Sequence, residues 1–241
     1  MRIRIGIILA LAAPLAARAD RRSFVRAYEY ATQPKGNLEV ELWNEVESPQ
    51  SGLKDALLTT RLELEYGVTD HWDLALYHVF QQQSGEAAVP FHLDSWRLET
   101  RYRLAEKGEW PVDVMLYLEG ERPADLKDPF ELEEKIIVAR DVGRFGLVLN
   151  LVGEQKILRG DLGRTWEGDL GLRYEIVPQL RVAAEVWTIQ AVTSQQTVHS
   201  YFAGPSLSVA TERVWLQFGV GVGLGSTPET FQFRSVLGFN L

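Results

Sequence analysis

The chain has 241 residues, 46% apolar and 24% charged, with Lys+Arg 25 against Asp+Glu 33, a pI near 5.1 and no Cys. Seven Trp, eight Tyr and ten Phe argue against disorder, and the empty cysteine count excludes a disulfide scaffold and a Cys-based zinc site. The acidic balance argues against nucleic acid as a partner, and no run of about 20 apolar residues follows the N-terminus, so a helical span is not expected.

Residues 1–19 carry Arg2 and Arg4, a short apolar stretch from Ile5 to Ala13, and the small-residue site Ala17-Arg18-Ala19. This is the pattern of a secretory signal peptide cut after Ala19. Residues 20–37 come next and are expected as a periplasmic N-terminal segment or as an extra strand, because Phe24–Tyr30 alternates.

From there the dominant signal is period-2 alternation. Leu58, Thr60, Leu62, Leu64, Tyr66 and Val68 interleave with Thr59, Arg61, Glu63, Glu65 and Gly67. Trp96, Leu98, Thr100, Tyr102 and Leu104 interleave with Arg97, Glu99, Arg101 and Arg103. Successive side chains of a strand point to opposite faces, so each segment has one apolar and one charged face. Twelve segments follow this rule, at about 38–46, 57–68, 72–81, 93–104, 111–121, 130–142, 145–156, 164–177, 180–190, 198–210, 214–224 and 231–241. Many exceed the usual 5 to 6 residues of a soluble strand and suit a tilted bilayer crossing of about 9–11.

Short turns such as Thr69-Asp70-His71, Gly143-Arg144 and Pro178-Gln179 alternate with longer polar connections such as 82–92 and 122–129. Ala105–Trp110 is longish for a turn, and Gly225–Thr230 is short for a loop. The expected fold is an all-β, antiparallel, up-and-down transmembrane barrel of about twelve strands over residues 38–241, both chain ends periplasmic. Lipid cannot satisfy a free sheet edge, so the sheet must close. Aromatics fall near both strand ends: Tyr66, Trp72, Tyr102, Phe145, Tyr174 and Phe239 toward the turns, Phe80, Trp96, Trp166, Tyr201 and Phe231 toward the loops. A soluble sandwich or lipocalin-like barrel is the rival, with the apolar faces turned inward.

The stretch LEYGVTDHWDLAL at Leu64–Leu76 resembles a strand–turn–strand motif of Gram-negative outer-membrane barrels, including the transporter family associated with phenol-degradation pathways. Tyr66, Gly67, Thr69, Asp70 and Trp72 carry the match. The alternating end FQFRSVLGFNL, Phe231–Leu241, resembles the C-terminal signal read by the barrel assembly machinery, with Leu in place of a final Phe or Trp. The resemblance implies fold, outer-membrane lipid as surroundings and that machinery as a partner. It implies no substrate.

The charged faces would line the lumen. The acids are Glu39, Glu41, Glu45, Glu63, Glu65, Asp73, Glu99, Asp113, Glu119, Glu121, Glu131, Glu133, Glu154, Glu167, Asp169, Glu175 and Glu185; the bases are Arg61, Arg97, Arg101, Arg103, Lys135, Lys156, Arg173, Arg181 and Arg234. The acid surplus suggests passive or gated passage of small cationic or neutral solutes. The bland alternative is a salt-bridged, nearly filled lumen, with Arg97, Arg101 and Arg103 one strand from Asp73, Asp113, Glu119 and Glu121, giving a non-conducting structural or interaction barrel. Gly219, Gly221 and Gly223 on one inward face would make room for a bulky neighbour or an inward segment. A lipid hydrolase ranks third: His78 is on the lipid face but has no Ser nearby. No enzyme activity, cofactor or metal site is expected.

Overall fold

The structure is a computed structural model that describes residues 22–49, 52–157 and 163–241. The expected signal peptide lies outside the described residues. The strands are β1 (Leu38–Pro49), β2 (Leu57–Thr69), β3 (Trp72–Gln83), β4 (Val89–Arg103), β5 (Asp113–Pro123), β6 (Phe130–Val142), β7 (Phe145–Ile157), β8 (Arg164–Val177), β9 (Leu180–Val192), β10 (Thr197–Ala210), β11 (Val214–Gly223) and β12 (Glu229–Asn240). They form a closed barrel in which each strand pairs antiparallel with its sequence neighbours, and β1 pairs with β12. Closure gives every strand two ladders and leaves no edge. No helix of the described residues is long and apolar enough to cross a membrane, which says nothing of strands.

Strand number and order match the sequence reading. Several strands run further toward the loops than the alternation does: β4 starts at Val89 and β1 reaches Pro49. Ladder pairing needs only backbone groups, so hairpins continue where the apolar face has ended. The connections at that end shrink accordingly, to residues 84–88 between β3 and β4.

The faces are inverted relative to a soluble barrel. On β2, Glu63 and Glu65 are 0% and 1% exposed, while Leu62 and Leu64 are 43% and 45% exposed. The soluble rival, with apolar faces inward, is thereby excluded. Tyr66, Trp72, Tyr102 and Phe145 are exposed at the turn end of the barrel, and Trp96, Trp166 and Tyr201 at its loop end.

Residues 22–37 correct the sequence reading. They form no strand; residues 22–33 lie inside the barrel, with Phe24, Val25, Ala27 and Tyr30 buried, and Pro34, Lys35 and Gly36 are exposed at its turn end. Phe24, Ala27 and Tyr30 join Met115, Tyr117, Ile137, Ala139, Val148 and Ala183 of the wall in one apolar cluster. Up to Gln33 the backbone of the segment bonds to inward side chains; only at Gly36 and Asn37 does it bond to the backbone of Gly67 on β2, at 2.7 and 3.0 Å. The Arg26 and Ala27 N–H groups donate to Glu185 at 2.9 and 3.0 Å, as does Val25. Tyr28 N–H donates to Asn150 Oδ1 at 2.6 Å, and Gln33 N–H to Asp73 Oδ2 at 2.9 Å. The alternation of Phe24–Tyr30 therefore reflects packing against the inner wall, not membership of it.

Two inward glycines make this possible. A Cβ on Gly219 would overlap Val25, and a Cβ on Gly171 would lie 2.6 Å from Phe24 Cε1. Gly221 does the same for Trp187, so this glycine run provides the expected room. Gly67, in the YGVTD turn, sits under Gln33 and Pro34, where a Cβ would meet the Gln33 carbonyl oxygen at 2.6 Å.

Candidate functional site

The lumen divides into two parts. Toward the turn end, adjacent strands bring together Glu39 and Glu41 on β1, Glu63 and Glu65 on β2, Asp73 on β3 and Glu99 on β4, all buried. Registers place Glu39 opposite Glu65 and Glu41 opposite Glu63. Among the described residues, Glu39, Glu41 and Glu65 bring carboxylate oxygens within 4.8 Å of one another.

Two guanidinium groups already serve this cluster. Arg22 Nε donates to Glu41 at 3.4 Å, and Arg101 pairs with Glu65, with Asp73 at 2.7 Å and with Glu99 at 3.3 Å. Neutral donors add to them: Trp43 Nε1 to Glu63 at 2.8 Å, Trp215 Nε1 to Glu39 at 3.1 Å and Tyr77 OH to Glu99 at 2.5 Å. Acids still outnumber bases here.

Toward the loop end the charges alternate in sign. Arg97 pairs with Glu119 at 3.0 Å and Glu121 at 2.7 Å, Lys135 with Glu133 at 2.8 Å, and Lys156 with Glu131 at 2.7 Å. Arg61 and Arg234 grip Glu45 from both sides at 3.1 and 2.6 Å. Arg26 forms a two-pronged pair with Glu167, and Asp169 follows on the same face of β8, opposite Asn150.

Part of this set, with Arg26, Arg97, Glu119, Lys135 and Glu167 among them, lines a cavity of 160 Å³. Glu154 lines it with no ion-pair partner among the described residues. Trp43 forms part of its wall and is ringed by cations: Arg22, Arg61 and Arg234 lie 4.3, 5.8 and 5.6 Å from the ring. Tyr28 of the inner segment packs edge-on against Tyr117, and Lys135 lies 4.0 and 4.2 Å from the two rings. Cations over aromatic faces keep their charge partly balanced without further carboxylates.

The acids and bases assigned to the charged faces do not all pair as the cross-strand spacing suggests. Arg97 and Arg101 meet the expected acids. Arg103 instead donates to the Asp70 carbonyl and lies 5.7 Å from the Tyr30 ring. Asp113 accepts the Gly108 N–H at 2.6 Å inside its own turn and meets no arginine among the described residues. Arg181 pairs with Glu175 at 3.0 Å, and Glu185 is taken up by the inner segment.

Sequence reasoning missed Arg22, Arg26 and Glu29, because it took residues 20–37 as a periplasmic segment or an extra strand rather than as a filling of the lumen. Arg173 meets Glu29 at 3.1 Å and Asp141 at 2.7 Å. Asp141 and Glu47 were legible by parity, each sharing the inward phase of its strand; Gln232 donates to Glu47 at 3.2 Å. His78 faces outward between Leu62 and Trp96 in register, without a serine beside it.

No family model matches the chain, and no curated protein matches it in sequence. Solved structures do match in fold. The COG4313 outer membrane channel from Pseudomonas putida F1 superposes with a TM-score of 0.70 at 12% identity, over 90% of this chain and 100% of that one. The NanC porin gives 0.58 at 12% identity, over 85% of this chain and 100% of that one. The KdgM porin gives 0.56 at 10% identity, over 83% and 98%.

Proposed function

We propose that the protein is a narrow outer-membrane channel that passes small cationic or neutral solutes. The carrying observation is the charge layout of the lumen: an acid-rich turn half and, toward the loops, an ion-paired cavity of 160 Å³. Rings of acids favour cations at close quarters. The fold likeness to channels and porins and the exposed apolar belt support a bilayer location. In this reading the signal peptide exports the chain, and Phe231–Leu241 of β12 directs its assembly into the membrane.

The test is planar-bilayer recording with refolded protein. Small steps with a cation preference are expected, and the double substitution Glu63→Gln, Glu65→Gln should lower that preference. Anion preference, or steps indifferent to both substitutions, would contradict the proposal.

The segment 22–37 favours a second reading, a non-conducting barrel with a structural or interaction role. Its backbone and side chains occupy lumen that would otherwise be water. Silence at every applied voltage would decide for this reading.

A further inference from the structure

The acid cluster of the turn half keeps carboxylate oxygens that no described residue uses. On β2, Arg101 takes Oε1 of Glu65 and Trp43 Nε1 takes Oε2 of Glu63. The other oxygen of each carboxylate, Oε2 of Glu65 and Oε1 of Glu63, is buried and accepts no hydrogen bond. Across the ladder on β1, Glu39 stands opposite Glu65 and Glu41 opposite Glu63. The Glu41 carboxyl is in hydrogen-bonding contact with those of Glu39 and Glu63. One oxygen from each of Glu39, Glu41 and Glu65 lies within 4.8 Å of the other two. Ionised carboxylates are costly to bury at such close quarters unless something positive is shared among them.

A second observation lies outside the carboxylates. Gln217 is buried on the inward face of β11, two residues from Trp215, and both its amide atoms lack a partner. Trp215 itself donates to Glu39 at 3.1 Å. Buried side-chain amides are as a rule hydrogen-bonded, so the bare amide marks a polar guest on this side of the lumen.

The donors select the guest. They are all oxygens, mostly anionic, without His or Cys, which is the set of a hard cation. Oxygens opposite one another across Ca²⁺ are about 4.6–5.2 Å apart, and the span of the Glu39, Glu41 and Glu65 group fits around that ion. Mg²⁺ keeps several waters of its own, to which side chains buried this deeply give little access. No metal spacing marks these residues in the sequence, because they come from two strands and meet only in the ladder.

We propose that Glu39, Glu41, Glu63 and Glu65 bind one Ca²⁺ in the turn half of the lumen, beneath the inner segment. The ion offsets the acid surplus and clamps β1 to β2 beside the β1–β12 seam. Arg22, which donates to Glu41 at 3.4 Å, ties the inner segment to the same carboxylates. The proposal stands whether or not the lumen conducts.

Terbium luminescence tests it, because Trp43 and Trp215 are hydrogen-bonded to Glu63 and Glu39 and sensitise an ion held there. The refolded full-length barrel, stripped with chelator in detergent, is titrated with Tb³⁺ under indole excitation; a parallel series is refolded with Tb³⁺ present, to allow for slow entry. A saturable signal is expected, displaced by Ca²⁺ at lower concentration than by Mg²⁺. Glu41→Gln and Glu63→Gln should each weaken Ca²⁺ binding about tenfold, since each removes an anionic ligand. Glu86→Gln, in the exposed β3–β4 loop, should leave it unchanged. Ca²⁺ should also raise the unfolding temperature of wild type more than that of the first two variants. Those two must keep the heat-modifiable gel mobility of a closed barrel, and either serves if the other does not fold. Absence of a saturable signal in both series, equal displacement by Ca²⁺ and Mg²⁺, or affinity untouched by both variants overturns the proposal and leaves the carboxylates sharing protons instead.

Discussion

The carboxylate of Glu185, on the inward face of β9, accepts the N–H of Ala27 at 3.0 Å. The N–H groups of Arg26 and Val25 converge on the same side chain. One acid of the wall thus fixes three consecutive amides of the inner segment, and Ser206 Oγ closes the group by donating to the Ser23 carbonyl at 2.7 Å.

Hydrogen bonds to a charged acceptor contribute about 1.5–3 kcal/mol each. Glu185→Ala should therefore release residues 22–30 without opening the ladders of β9. Trypsin cleavage after Arg26 in detergent-solubilised protein should rise, and single-channel conductance should rise with it. Protection equal to wild type would show that the apolar cluster alone holds the segment.

Gly171 is set against Phe24 in the same way that a socket is set against a knob. Gly171→Val should destabilise the docked segment by about 1–3 kcal/mol through overpacking, while Phe24→Ala alone costs about 3–5 kcal/mol at most. In the Phe24→Ala background the Gly171→Val change should cost far less, because the ring it collides with is gone. A double-mutant cycle in denaturant unfolding measures this; additive effects would contradict the packing.

Arg101 is the cation shared by Asp73, Glu65 and Glu99. Arg101→Met leaves these buried carboxylates without it and should cost about 3–5 kcal/mol. Asp73→Asn should cost less, since Arg101 keeps two acids. Unfolding midpoints of the two variants check the order. If the lumen conducts, Arg101→Met should also strengthen cation preference.

At the turn end, His71 Nε2 and Glu106 Oε1 lie 2.7 Å apart and link the β2–β3 turn to the long β4–β5 turn. The hydrogen bond from His71 holds the Glu106 carboxyl below the usual carboxylate range. A depressed carboxyl pKa stabilises the folded form above the ordinary value and loses that stabilisation as pH falls through the lowered one. The link should therefore persist at neutral pH and dissolve in acid. His71→Ala should return the Glu106 titration, followed by carbon NMR of the side chain, to the ordinary range. An unchanged titration would assign the effect to Arg103 instead.

The alternation of Leu62, Glu63, Leu64 and Glu65 determined strand identity, strand number and which side chains share a face. Period 2 is a local property, fixed by backbone geometry wherever the chain is extended. The lumen acids and bases followed from parity alone. Asp141 and Glu47 share the inward phase of their strands and Glu134 stands on the outward phase of β6, although the sequence reading singled out none of the three.

Tertiary structure decided which medium-inverted face went where, which charges meet, and where residues 22–37 lie. Those depend on distances closed by the circle of strands, such as Glu185 to Ala27 or Arg234 to Glu45 across the β1–β12 seam. The stretch Phe24–Tyr30 alternates like a strand because one of its sides meets Met115 and Ile137 and its amides meet Glu185 and Asn150. Local pattern registers that two environments are present. It does not record whether a ladder, a lumen wall or a lipid chain supplies them, because that choice is made only when the barrel shuts.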